Sequence, residues 1–546
     1  MNIKTCLFLG VASLVFLSTS WASAAPPQFG FSGFLELDEE QWDGMDLEGR
    51  MAHLNERLDW ADAQGAKVLR LGGVHPNPLA RAAIEADGSR DWTLVDEFVR
   101  EVNERGISLC ATLPELVKSN GLNAHTQFMA KLIERYDGDA DFGVAELDVN
   151  KEHPDVDGSG SVTFADWGAD NATKKAWAQK HKLTLIEIGD QPNALEMTGQ
   201  LEKSDYGLLL AASHQVLADT KAEMSVVLGT TAVDNQTEGT FQTRLEGLDP
   251  DVSFDVASGA FDDAFADISG DKALDKLKQF YGWPAGVAHP NAERWVGSLR
   301  VGGAECVDSR CDERLKSSLI AKAVLVALEE GYKTILYGQP IDTVEGEVSG
   351  AGLWTRSKGS DTGSESTYLA RPSADMWLKL SEIGGQLDGS EVQLLPGDNP
   401  MVVGYKVGEL GWIYWYNWTR QVGPGEPYGG KQFEAIIEGL ESSAVRVTTL
   451  WKESSDEDWP DEVVLVDGGK AVFMLGQDIV WVTTAEAPTQ PDLGSSDDLG
   501  ASVEAPSQGA ETDGGGCSTH HGTGPFGLAL LLLLLLSARA VLPRRA

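Results

Sequence analysis

Residues 91–113 read DWTLVDEFVREVNERGISLCATL, and the fold is decided here. The first half carries the apolar spacing of an amphipathic helix, Gly106 stops that helix, and ISLCATL follows as an apolar strand. Upstream, LDWADAQGAKVLRLGG (58–73) gives the same order of helix, glycine and strand. Downstream the short apolar runs continue as LTLIEIG (183–189), MSVVLG (224–229), VSFDVAS (252–258), RWVGSLR (294–300) and KTILYG (333–338). Helical segments such as SSLIAKAVLVALEEG lie between them, and an opening strand near FGFSGFLEL (29–37) brings the strands to eight. Eight β/α units over about 340 residues predict a (β/α)8 TIM barrel within 25–375. A doubly wound open sheet is the alternative, but no glycine-rich phosphate loop follows any early strand.

The texture changes at residue 388. EVQLLP, MVVGYKVG, GWIYWYNW, AVRVTTLW, EVVLVDGGKAVFML and DIVWVTT are short β-rich runs broken by Gly, Asp and Pro, which predict an all-β sandwich over 388–484. Residues 485–516 then carry seven acids, no base and no aromatic, the composition of a disordered linker.

Charge narrows the function. The 546 residues hold 43 Lys+Arg against 84 Asp+Glu, a net charge of −41, and no acid lies in the first 24 or last 30 residues. So acidic a body repels phosphate backbones, which excludes general nucleic-acid binding. It suits neutral ligands, cations and extracellular life.

Both ends read as processing signals. Residues 1–24 have Lys4, an apolar run from Cys6 to Phe16 and the small residues Ala22-Ser23-Ala24, the pattern of a signal peptide; the run is too short for a transmembrane helix. Residues 517–546 hold Cys517, an apolar stretch from Pro525 to Leu536, then Arg539, Arg544 and Arg545. That order resembles the C-terminal sorting tails of myxobacterial and related bacterial surface proteins, in which the cysteine is implicated in attachment. An ordinary membrane anchor is the other reading. Either one tethers the body to the bacterial envelope, outside the cytoplasm.

Past the signal peptide remain Cys110, Cys306, Cys311 and Cys517. Cys306 and Cys311 flank a short loop and are expected to form a disulfide in an oxidising compartment, while Cys110 sits as a buried strand thiol. No CxxC pairing or HExxH spacing supports zinc.

Within the predicted insertion 137–176, DVDGSGSVTFAD (155–166) matches a twelve-residue calcium loop. Asp155, Asp157, Ser159, Thr163 and Asp166 fall at positions 1, 3, 5, 9 and 12, Ser161 offers a backbone oxygen at 7, and Gly160 takes the tight turn at position 6. A hard cation wants that oxygen set, so calcium is expected in a structural, loop-ordering role. Asp rather than Glu at position 12 implies modest affinity, and a metal-free Asp/Gly turn is the competing reading.

From about residue 50 to 484 the chain resembles the clan of retaining glycoside hydrolases built on a (β/α)8 barrel with an accessory β-sandwich. The resemblance rests on GAKVLRLGG, the 91–113 stretch, FMAKLIERYDGDAD, LTLIEIGDQPN, ERWVGSLRVGG, and GAGLW followed by ARPSADMWLKLSEIGG, in that order. The clan's chemistry needs two carboxylates about 5–5.5 Å apart. The resemblance places its acid/base Glu on Gln191, the preceding Asn on Asp190, and its nucleophile Glu on Ser298. Gln has no usable proton to give, and Ser attacks only beside an activating base. Both catalytic positions are therefore degenerate.

Three functions follow. The favoured one is a carbohydrate-binding, catalytically degenerate barrel with Asp190, Gln191 and Ser298 in the cleft. Tyr337, Trp354 and Trp42, near predicted strand ends, offer faces for sugar rings, with buried packing as their competing role. The second is an active hydrolase using displaced carboxylates such as Glu305 and Asp190. The third is a surface structural or adhesion protein.

Overall fold

The computed structural model describes residues 25–487 except 38, 73–74, 86–90, 116–120, 140–153, 156–168, 193–204, 233–253, 262–272, 283–291, 302–312, 344–351, 358–366, 388–390, 398, 418–431, 453–456 and 477. Met1–Ala487 and Pro488–Ala546 are separate units, and the first holds everything described. The calcium loop beyond Asp155, Glu305, Cys306, Cys311 and both termini lie outside the described residues.

Eight parallel strands close a barrel: β1 (Gln28–Ser32), β2 (Val68–Arg70), β3 (Ser108–Leu113), β4 (Leu185–Ile188), β5 (Ser225–Leu228), β6 (Val256–Ala260), β7 (Glu293–Leu299) and β8 (Thr334–Gly338). β8 returns to β1 in continuous register from Gln28↔Thr334 to Ser32↔Gly338. The seam between β5 and β6 is looser. β5 meets β6 at Val227↔Val256, and a two-residue continuation, Thr231–Ala232, pairs again with Gly259 and Ala260. Asp255 helps hold the lower patch: its N–H donates to the Val226 carbonyl at 2.9 Å, and its carboxylate accepts from the Val226 N–H at 2.8 Å.

Helices α1 (Leu47–Ala63), α2 (Thr93–Glu104), α3 (Leu122–Tyr136), α4 (Asn171–Lys180), α5 (Asp205–Thr220), α6 (Ala273–Gly282), α7 (Glu313–Glu329) and α8 (Pro372–Gly385) accompany the barrel. The 91–113 stretch does what its pattern predicts. α2 buries Val95, Phe98, Val99 and Val102, one helical face, and Gly106 turns the chain at φ 68° into β3. α4 begins at Asn171, capped by the Asp170 carboxylate accepting from the Thr173 N–H, so the end of the predicted insertion is a helix start.

Inside the barrel, strand alternation sorts the side chains into layers. Val68, Cys110, Val227, Val256, Trp295 and Leu336 form an apolar cluster. One inward position further along their strands, the residues become Arg70, Thr112, Ser258, Gly297 and Gly338, joined by Ser32 and Glu187. The barrel is thus oily below and polar at the C-terminal mouth, where (β/α)8 barrels build their sites. Cys110 belongs to the oily layer, and burial pushes its thiol pKa well up.

Past β8 comes a small sheet of β9 (Ile341–Thr343), β10 (Trp354–Ser357) and β11 (Thr367–Ala370). The sandwich follows. Its larger sheet runs β12–β13–β14–β19–β16–β17, built from β12 (Val392–Leu394), β13 (Val402–Val407), β14 (Gly411–Tyr416), β16 (Ala444–Thr449), β17 (Asp461–Leu465) and β19 (Val480–Ala485). β15 (Phe433–Glu438) and β18 (Lys470–Leu475) pair as a two-stranded second sheet. Alternation splits β14 cleanly: Ile413 and Trp415 join the barrel's core, while Tyr414 joins the sandwich's own.

α7 ties the two parts together. Arg314 Nε donates to Asp478 Oδ1 at 2.6 Å, and Tyr405 donates to Glu329 at 3.2 Å. Between them Lys322, 2% exposed, sets its ammonium 5.0 Å from the centre of the Trp415 ring. Burial lowers its pKa to about 7. Among the described residues no helix is long and apolar enough to cross a membrane.

Candidate functional site

The polar mouth is organised by one buried pair that the sequence reading passed over. Glu187, fully buried on β4, accepts from Arg70 Nε at 3.0 and 2.8 Å, from Thr112 Oγ1 at 2.6 Å, and from the Thr230 N–H and hydroxyl at 2.8 and 2.6 Å. Strands β2, β3 and β4 and the turn after β5 meet on that carboxylate. Thr230 reaches it because the chain leaves the ladder after β5, and its hydroxyl also pairs with Ser258 at 2.8 Å. Arg70 spends its remaining donors on Ser32, at 2.8 Å, and on Asp190. Burial alone would lower the Arg70 pKa, but Glu187 and Asp190 outweigh it and hold it above the usual arginine value. The signal for both residues was present: LTLIEIG and VLRLGG (68–73) each carry one charge inside an apolar strand.

Over this network lies a cavity of about 130 Å³. Its lining includes Arg70, Asp190, Gln191, Ser298, Arg300 and Gln339. Three residues predicted for the cleft are therefore brought together, by backbone irregularities at the strand ends. β4 stops at Ile188, after which Gly189 (φ 77°) and Gln191 (φ 44°) take left-handed conformations. A regular strand would have turned Asp190 away from Gln191; the break places both on the cavity. The Gln191 N–H donates to the Thr230 carbonyl at 3.0 Å, which fixes this turn against β5.

Ser298 arrives by a bulge. β7 pairs Val296 with Gly259 and Ser298 with Ala260, so two residues of β7 pass one of β6. Without that extra residue Ser298 would face the helices. Gly297 fits the turn because nothing larger would: an added Cβ would sit 2.0 Å from Ser258 Oγ and 2.6 Å from Thr230 Oγ1.

The predicted aromatic platforms are corrected. Tyr337 is fully buried, its ring 5.5 Å from that of Trp377. Trp354, 2% exposed, packs edge-on to Trp60 at 5.1 Å and Phe31 at 5.7 Å. Trp42 is buried beside Arg50. Nearness to a strand end in sequence did not fix which side the ring faces, and none of the three lines the cavity. Among the described residues no cluster of His, Cys, Asp and Glu could hold a metal.

Chemically, Asp190 is the one carboxylate lining this cavity among the described residues, and it is bonded to Arg70. With it the lining presents the Ser298 hydroxyl and the amides of Gln191 and Gln339.

Architecture and mouth define a closed (β/α)8 barrel with a β-sandwich on its C-terminal side. Two solved glycoside hydrolases share this shape. A family 39 glycoside hydrolase from the gut symbiont Bacteroides cellulosilyticus WH2 superposes with a TM-score of 0.51 at 11% identity, over 84% of this chain and 81% of that one. AbfB, a family 51 α-L-arabinofuranosidase from Bifidobacterium longum, superposes with a TM-score of 0.50 at 10% identity, over 84% and 96%. No protein-family model matches the sequence, and no curated protein is similar to it. At such identities the likeness establishes the fold, and the chemistry rests with the residues at the mouth.

Proposed function

We propose that this is an exported, surface-anchored, glycoside-hydrolase-like protein that binds carbohydrate at its barrel mouth without cleaving it. The observation that carries the reading is the cavity lining: Gln191 and Ser298 stand at the mouth, and the one carboxylate beside them, Asp190, is already paired with Arg70. A double displacement needs a proton donor and a nucleophile on opposite sides of the anomeric carbon. Gln191 gives and accepts hydrogen bonds but donates no proton to a leaving oxygen, and losing an acid/base alone forfeits roughly 10²–10⁴ in rate. Ser298 has no histidine or lysine beside it among the described lining residues to take its proton.

What remains suits binding. Asp190 accepts a sugar hydroxyl while held by Arg70, Gln191 offers both an N–H donor and a carbonyl acceptor, and Ser298 supplies a hydroxyl. The calcium loop at 155–166 would order the segment between α3 and α4 in a structural role. The signal peptide and Cys517 tail would carry the barrel to the envelope and hold it there, where glycans are met.

The test pairs a glycan array and calorimetry with reducing-sugar release between pH 4 and 9. The expected result is saturable oligosaccharide binding with no release at any pH, weakened in Asp190→Ala by roughly 1.5–3 kcal/mol, the size of a charge-assisted hydrogen bond. Robust hydrolysis that survives both Gln191→Ala and Ser298→Ala would overturn the reading.

A further inference from the structure

The cavity holds two guanidinium groups in opposite conditions. Arg70 is spent, its donors divided among Glu187, Asp190 and Ser32. Arg300, just past the end of β7, is not. Its Nη1 donates to Oε1 of Gln339, a neutral amide, and its Nε is buried with no hydrogen-bond partner.

The support beneath that contact is built. Gln339 holds a left-handed backbone at φ 47°, and its N–H donates to the Ser32 carbonyl at 2.8 Å. The amide that grips Nη1 is therefore anchored to β1 through its own backbone. An arginine held by Nη1 keeps its Nε and Nη2 donors as a pair along one edge. That edge is one of the two that match both oxygens of a carboxylate. Glu36 lies within Arg300's electrostatic reach, and burial raises its pKa, but among the described residues no hydrogen bond or ion pair joins the two; the bond Arg300 makes is to Gln339. Among the described residues the cavity thus keeps one cation, Arg300, whose bonded partner carries no charge.

That is unusual in a chain with 84 acids against 43 bases. A buried donor without an acceptor costs stability, and the cost is recovered when a ligand supplies the acceptor. We propose that the barrel mouth takes an acidic sugar, a uronic acid residue whose carboxylate is held by the Nε/Nη2 edge of Arg300. This rests on the carbohydrate-binding reading and names the ligand class. In this arrangement Arg300 reads the carboxylate, while Asp190, Gln191 and Ser298 read hydroxyls on the same ring. A carboxylate on Asp190's side of the cavity would meet repulsion, so the two groups also fix which way round the sugar sits.

The test is calorimetry on the full-length protein with oligosaccharides of glucuronic, galacturonic and mannuronic acid. Each is set beside its carboxyl-reduced form and an O-sulfated neutral sugar. The acidic form of at least one should bind about tenfold or more tighter than its reduced partner, as expected for a charge-assisted pair. Arg300→Gln should bring that ratio close to one. Arg300→Lys, which keeps the charge and loses the fork, should lower it several-fold. Unchanged far-ultraviolet circular dichroism checks folding, and Gln339→Ala, which removes the prop and leaves the cation, should also reduce the ratio. Equal binding of acidic and reduced forms, or a ratio untouched in Arg300→Gln, overturns this inference and leaves the carbohydrate reading standing. Sulfated sugar bound as tightly as uronate overturns the carboxylate assignment. Binding of no sugar in the panel, acidic or neutral, overturns both.

Discussion

Lys322→Met should stabilise this protein, and the gain should depend on pH in one direction. Lys322 is buried between α7 and β14, its ammonium against the face of Trp415. Burial lowers its pKa from 10.5 to about 7. The unfolded chain therefore binds more protons at this site than the folded chain does across that interval, and wild-type stability rises as pH rises through it. Below about pH 7 the lysine is charged in both states and the burial penalty is present in full. At pH 9 roughly 3 kcal/mol of that penalty has been relieved, from about two pH units at about 1.4 kcal/mol each. Methionine fills nearly the same volume and has no charge to desolvate. The assay is urea unfolding of both proteins at pH 6, 7, 8 and 9, with the difference between them taken at each pH so that other titrating groups cancel. The advantage of Lys322→Met should be greatest at pH 6 and should shrink by about 3 kcal/mol by pH 9. A difference that stays flat across this range would refute the argument, because it would mean that Lys322 keeps its proton equally in both states.

Two further outcomes are expected. Arg70→Met should destabilise by about 3–5 kcal/mol in the same assay, because it strands the buried Glu187 carboxylate, and Arg70→Met with Glu187→Leu should recover part of that loss. Calcium should raise the thermal midpoint of the wild-type protein and leave Asp157→Ala unmoved, since a ligand bound to the folded state alone stabilises it; melts that coincide with and without chelator would remove calcium from the account.

The barrel was legible because its strands are buried on both faces, so they stand out as unbroken apolar runs between amphipathic helices. The sandwich was legible for the opposite reason, through alternation, with one lapse. FEAIIE (433–438) alternates as a strand should, but it carries two glutamates among its six residues and exposes both, so β15 went unread. The mouth was legible by composition and not by orientation. Asp190, Gln191 and Ser298 reach the cavity through left-handed residues and a bulge, features that break the two-residue period on which strand reading depends. Tyr337 and Trp354 failed by the same logic from the other side: they stand near strand ends, but their rings are buried in the main core, away from the cavity. Glu187 and Arg70 lie more than a hundred positions apart, and no local pattern joins them.

The loose seam between β5 and β6 sets the order in which the barrel comes apart. Every other pair of neighbouring barrel strands keeps at least three paired positions, but here a single pairing and a two-residue patch are separated by Leu228, Gly229 and Thr230, with a side-chain hydroxyl pair between them. Local opening follows the path of fewest shared bonds. In deuterated water the amides of Val227, Thr231 and Gly259 should exchange ahead of those in β1 and β8, and a cylinder that parts there unrolls into an open sheet with its charged mouth exposed along one edge.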